Sequence, residues 1–66
     1  MRIILNGEPR DIPDSTTAIQ LIALLKLEGR RLAMEVNHEV VPRSRFGEFI
    51  LHEGDRVEIV HAIGGG

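Results

Sequence analysis

The sequence predicts an α+β fold, a mixed sheet of four to five strands with one helix packed across one face. Three observations point there. Short runs rich in Ile, Val and Leu lie towards both ends of the chain, and several alternate in and out with a period of two. One window between them instead repeats its apolar residues at helical spacing. Turn formers such as Asn6-Gly7 and Glu53-Gly54-Asp55 punctuate the runs.

Arg2 to Asn6 reads as the first strand, and Asn6-Gly7 as a hairpin turn, because both residues tolerate positive φ. Glu8 to Ile12 returns as the second strand, with Pro9 marking a sheet edge because proline donates no ladder hydrogen bond. Ser15 or Thr16 is the expected helix N-cap. The helix is expected from Thr17 to about Leu27, with Ala18, Leu21, Ile22 and Leu25 on one face and Gly29 as its stop. Leu32 to Asn37 alternates again, with Leu32, Met34 and Val36 inward. Asn37-His38-Glu39 turns the chain into a short strand at Val40-Val41, which Pro42 ends. Ser44 to Phe49 is expected to be irregular or one helical turn, anchored by Phe46 and Ile50. Arg56 to His61 forms the last strand, with Val57 and Ile59 inward and Glu58 and Val60 outward. In the first strand Ile3 and Leu5 face the core and Ile4 faces away. The predicted order is β-β-α-β-β-β, two packed layers around one core.

Composition narrows the function. With 66 residues there is room for one domain, which buries only about 60% of its unfolded surface. The absence of cysteine excludes disulfides and thiolate zinc sites. Phe46 and Phe49 are the sole aromatic residues, too few for a base-stacking surface. The formal net charge of −2 does not suit a nucleic-acid backbone. Arg30-Arg31 and Arg43/Arg45 are short basic clusters with two readings, solvated surface or docking contact. No apolar run approaches the roughly 20 residues that span a bilayer, and the N-terminus has no signal-peptide layout, so a cytoplasmic location is expected. His38, His52 and His61 are too scattered to suggest a metal site, and no acid/base pair stands out.

The remaining feature is the end, Ala62-Ile63-Gly64-Gly65-Gly66. Three glycines after the last apolar residue have no side chain to bury and a high ordering cost. A frayed terminus, an expression remnant, and an arm that carries a carboxylate beyond the domain all fit that composition. Residues 1–62 are therefore expected to form the domain and 63–66 a flexible tail.

Taken together, the opening hairpin, the helix after Ser15–Thr17, the Glu53-Gly54-Asp55 turn and the Gly65-Gly66 end resemble the ubiquitin-like β-grasp family. Within it, the short length, Ala33-Met34-Glu35-Val36-Asn37 and Val40-Val41-Pro42-Arg43 resemble the ThiS sulfur carriers of thiamine (thiazole) biosynthesis. The resemblance covers the whole chain, and Gly64 adds a third glycine to the usual pair.

The resemblance implies a carrier protein that acts as a co-substrate, with no cofactor of its own. A ThiF-like adenylating enzyme would use ATP to activate the Gly66 carboxylate. A persulfide donor system would then convert it to a thiocarboxylate, and thiazole synthase (ThiG) would receive the sulfur. Gly64 and Gly65 would thread the tail into these enzymes, and Ile4, Val60 and Ile63 would form the partner-binding surface. A carrier for molybdopterin synthesis, tRNA thiolation or cysteine synthesis is the nearest alternative. A ubiquitin-like binding module or modifier without sulfur chemistry is the other.

Overall fold

The computed structural model describes residues 1–61. In them the chain forms β1 (Arg2–Leu5), β2 (Glu8–Asp11), α1 (Ala18–Leu24), β3 (Leu32–Val36), β4 (Glu39–Val41), a 3-10 turn (Arg43–Arg45) and β5 (Arg56–His61). The sheet has five strands in the order β2-β1-β5-β3-β4. β1 and β5 run parallel, and every other pairing is antiparallel. This is the predicted element order, with Pro9 on an edge strand.

Both hairpins turn on residues with positive φ. Asn6 and Gly7 have φ of 49° and 86°, and Asn37 and His38 have 53° and 69°. Two successive positive values give the turn twist that matches the right-handed twist of the flanking strands.

Period-two alternation then divides the sheet's residues. Ile3, Met34, Val36, Val41, Val57 and Ile59 are buried on one side, where they meet Ala18, Leu21 and Ile22 of the helix. Leu5, Leu25 and Leu32 pack against this core less completely.

The helix differs from expectation at both ends. Its N-cap is Thr17, not Ser15 or Thr16. The Thr16 hydroxyl donates to the Pro13 carbonyl at 2.6 Å, and the Thr16 carbonyl accepts from the Leu51 N–H at 2.9 Å. Thr17 pairs with Ile50 in an isolated bridge, which keeps the backbone extended up to that point. Thr17 and Gln20 then cap each other reciprocally: the Thr17 Oγ1 accepts from the Gln20 N–H at 3.3 Å, and the Gln20 Oε1 accepts from the Thr17 N–H at 2.9 Å.

At the other end the helix stops at Leu24, and the left-handed residue that terminates it is Lys26, at φ 59°, while Gly29, at φ 78°, serves a later turn. The Lys26 N–H donates to the Ala23 carbonyl and the Leu27 N–H to the Ile22 carbonyl, both at 3.0 Å. These two bonds make a Schellman termination, whose left-handed position normally holds glycine. An L-residue there costs roughly 1–2 kcal/mol. Lys26→Gly is expected to raise stability by roughly 0.5–1 kcal/mol, the gain being trimmed by glycine's looser unfolded state. Urea unfolding checks this, and a lower midpoint would contradict the strain assigned to Lys26.

The expected anchor Ile50 is also corrected: its side chain is 48% exposed, whereas Leu51 is 1% exposed. The bridge to Thr17 imposes a local period of two, so Ile50 turns outward while the flanking Phe49 and Leu51 turn in. Phe46 is buried as expected.

One side chain completes the β1–β5 seam. Backbone bonds link the Ile4 N–H to the Asp55 carbonyl and the Asn6 N–H to the Val57 carbonyl. Where β1 turns away, the Asn6 amide takes over. Its Oδ1 accepts from the Ile59 N–H at 2.9 Å, and its Nδ2 donates to the Ile59 carbonyl at 3.3 Å. Asn6→Ala removes both bonds and is expected to cost about 2 kcal/mol, with faster amide exchange at Ile59. Unchanged exchange there would contradict the pairing.

Candidate functional site

Two features were expected to carry function: an apolar patch on the sheet face away from the helix, and the glycine tail. The outer face is built by the residues that alternation excludes from the core. Register arranges them in rows. Ile4 lies beside Arg56 and Pro9. Glu58 lies beside Glu35, which in turn lies beside Val40. Val60 lies beside Ala33.

Ile4 and Val60 therefore share the face but not a row. Val60 lies four steps along β5 from Arg56, about 13 Å of strand, with Glu58 between them. Ile4 is half-buried, among Glu35, His38, Arg56 and Glu58. Val60 is 58% exposed and Val40 is 69% exposed. The open apolar surface thus centres on Val60 and Ala33, with Val40 nearby on the edge strand. Ala33 was legible as outward from the alternation of its strand. Its pairing with Val60 depends on register, which no local signal encodes.

The face is also charged. Arg2 and Asp11 face each other across β1 and β2, with Nε to Oδ1 at 3.0 Å. The Arg2 hydrogen bond, reinforced by its charge, holds the Asp11 carboxyl below the usual range, and Asp11 raises Arg2 in return. Both side chains are well exposed, so the pair is a weak tie. Glu35 directly opposite Glu58 is a like-charge pairing, which sheets disfavour.

The tail leaves from a strand inside the sheet. His61, opposite Leu32, is the last described residue. Ile63, Gly64, Gly65 and Gly66 lie outside the described residues. Among the described residues no group of three His, Cys, Asp or Glu could hold a metal ion, and no helix is long and apolar enough to cross a membrane. A surface hollow lies between the β3–β4 hairpin and the segment after the 3-10 turn, lined by Val40, Arg45, Glu48, Phe49, Ile50 and His52. Arg45 and Glu48, three residues apart, pair at its edge at 3.4 Å. The arrangement can present a surface to a partner.

Comparison with known proteins agrees. The model of the ThiS family matches residues 3–66. The chain is 38% identical over 63 residues to the sulfur carrier protein ThiS of Bacillus subtilis, covering 94% of this chain and 96% of that protein. It is 39% identical over 66 residues to a thiazole synthase of Paramagnetospirillum magneticum, covering all of this chain but spanning only 20% of that protein's length. The crystal structure of a thiamine biosynthesis protein (ThiS) from Geobacter metallireducens superposes with a TM-score of 0.87 at 30% identity, with both chains fully covered. A five-stranded mixed sheet with one helix, matched along its whole length in sequence and structure, leads to one conclusion: the chain belongs to the ThiS family of small sulfur carrier proteins, which have the ubiquitin-like β-grasp fold.

Proposed function

We propose that this protein carries sulfur on its C-terminal carbonyl carbon for the thiazole ring of thiamine. A free α-carboxyl titrates at about 3.3–3.7, so at neutral pH Gly66 presents a carboxylate, which resists nucleophiles until it is activated. A ThiF-like enzyme with ATP supplies the activation. The carboxylate oxygen attacks the α-phosphorus, pyrophosphate leaves, and an acyl-adenylate forms. The outer sulfur of a donor persulfide displaces AMP and forms an acyl disulfide; a second thiol of the donor system then cleaves its S–S bond, forming a disulfide with the donor sulfur and leaving a thiocarboxylate. Thiazole synthase accepts the sulfur. Gly64 and Gly65 suit a narrow channel because neither carries a Cβ. The chain acts as co-substrate throughout.

The observation that carries this reading is the family match, which runs to residue 66 and so includes the glycine end. Similarity to proteins named thiazole synthase, of which a chain like this one spans a fifth, supports that acceptor. The test offers the purified thiocarboxylate to thiazole synthase and, separately, to acceptors from other thiolation routes. Sulfur appearing in the thiazole product is the expected result. Transfer only to another acceptor would move the protein to a different pathway.

The docking surface in this reading is the outer face with Val60 and Ile4, joined by Ile63 from the segment that follows β5. Ile63→Asp is expected to slow adenylation at least tenfold, roughly the effect of a charge in an apolar contact, without lowering the melting temperature. Unchanged activation kinetics would remove Ile63 from that surface.

A further inference from the structure

Two basic clusters that are separate in the sequence meet in the fold. Arg30 and Arg31 precede β3 and Arg43 follows β4, and the Arg43 Nη2 donates to the Arg30 carbonyl at 3.2 Å. Register locates them: Leu32 lies opposite His61, so Arg31 flanks the point where the chain runs on into residues 62–66. All three arginines are exposed. Among the described residues none of them has a carboxylate within ion-pairing distance, whereas Arg2 and Arg45 are paired with Asp11 and Glu48. Glu28 is the one acidic residue lining the hollow beside Arg30 and Arg43.

At the other end of the sheet acids and bases are matched. Asp11 pairs with Arg2, Asp14 holds the N-terminal amine, and Arg56 follows Glu53 and Asp55 at the start of β5. In a protein of net charge −2, three arginines without an ion-pair partner among the described residues are thus gathered beside the start of residues 62–66. An acidic surface attracts this cluster. The field would turn the domain tail-first during encounter.

We propose that Arg30, Arg31 and Arg43 form a docking surface for a partner protein that carries Asp and Glu side chains around the entrance receiving the tail. Three arginines without exposed aromatic neighbours do not make a nucleic-acid track, which needs a longer basic stripe. The inference rests on the carrier reading, since it takes the tail to be delivered to a partner's site.

The test measures pyrophosphate release from ATP by a ThiF-like activating enzyme, with the full chain as substrate, at low and high salt. For the unmodified chain, KM is expected to rise with salt. Arg30→Glu/Arg31→Glu/Arg43→Glu is expected to raise KM on the order of tenfold, to leave kcat about unchanged, and to lose the salt dependence. Arg31→Glu alone, at a side chain with no hydrogen bond among the described residues, should show part of the same shift and guards against misfolding of the triple variant. Arg10→Glu, on the far edge strand, should leave KM unchanged. A KM indifferent to salt and to these substitutions would overturn the assignment. A KM that falls in the triple variant would overturn it as well, by showing that the arginines bind the chain's own terminal carboxylate. No pyrophosphate release from the unmodified chain at saturation would instead sink the carrier reading itself.

Discussion

A chain lacking Gly66, or extended beyond it by a tag, is expected to release no measurable pyrophosphate with the activating enzyme, while its thermal unfolding coincides with that of the intact protein. The shortened chain still ends in two glycines, so residue type at the end is preserved. What changes is reach. One residue is about 3.5 Å of extended chain, and a displacement of 1 Å at a reacting centre can cost about 100-fold. Extension has a different effect, converting the reacting carboxylate into an amide carbonyl that cannot attack ATP. Neither change touches the core that the described residues form. Full activation of a tagged, uncleaved chain would contradict this, and so would a large drop in melting temperature.

The second large effect falls on the body. Ile3 is fully buried on β1, beside the central strand β5. Ile3→Ala is expected to cost about 2–5 kcal/mol, from lost burial and the cavity left behind. A domain of this length has only about 3–10 kcal/mol in total, so much of the variant population is expected to be unfolded near physiological temperature. Ile4→Ala, one residue along on the opposite face, should cost clearly less, because Ile4 keeps only partial contact. Urea unfolding with midpoints and slopes separates the two. Equal losses would mean that the alternation of β1 is misassigned, whereas a large loss confined to Ile3 supports it. Removing the first residues should likewise unfold the chain, since Ile3 goes with them.

Much of this architecture is legible in the sequence because it is local. Asn6-Gly7 and Asn37-His38 fold back for conformational reasons carried by the residues themselves, and period-two burial follows from strand geometry. Expectation failed where distant backbone intervened. The segment Phe49–Leu51 bonds to Thr16 and Ala18, which delays the helix start to Thr17 and turns Ile50 outward. The helix end was missed for a different reason. Gly29 is the obvious stop, but the two terminating bonds form around Lys26, a residue with no special preference for that conformation.

The face meant for partners was half legible. Alternation placed Ile4 and Val60 on the same side, but register alone reveals that Val60 pairs with Ala33 while Ile4 sits beside Arg56. The same dependence hides the joining of Arg30-Arg31 with Arg43, since no periodicity in the sequence links the start of β3 to the end of β4. The tail was the opposite case: its glycines are conspicuous in the sequence, and its proposed role lies in chemistry completed inside other proteins.

The central claim is that the reacting atom belongs to the terminal residue. Intact-mass measurement of the whole chain after incubation with ATP, a ThiF-like enzyme and a persulfide donor tests it most directly, with fragmentation to place any change. The account predicts a gain equal to one oxygen exchanged for sulfur, located on Gly66. An unchanged mass with an enzyme competent on another ThiS-family chain, or a sulfur placed anywhere but Gly66, would contradict it.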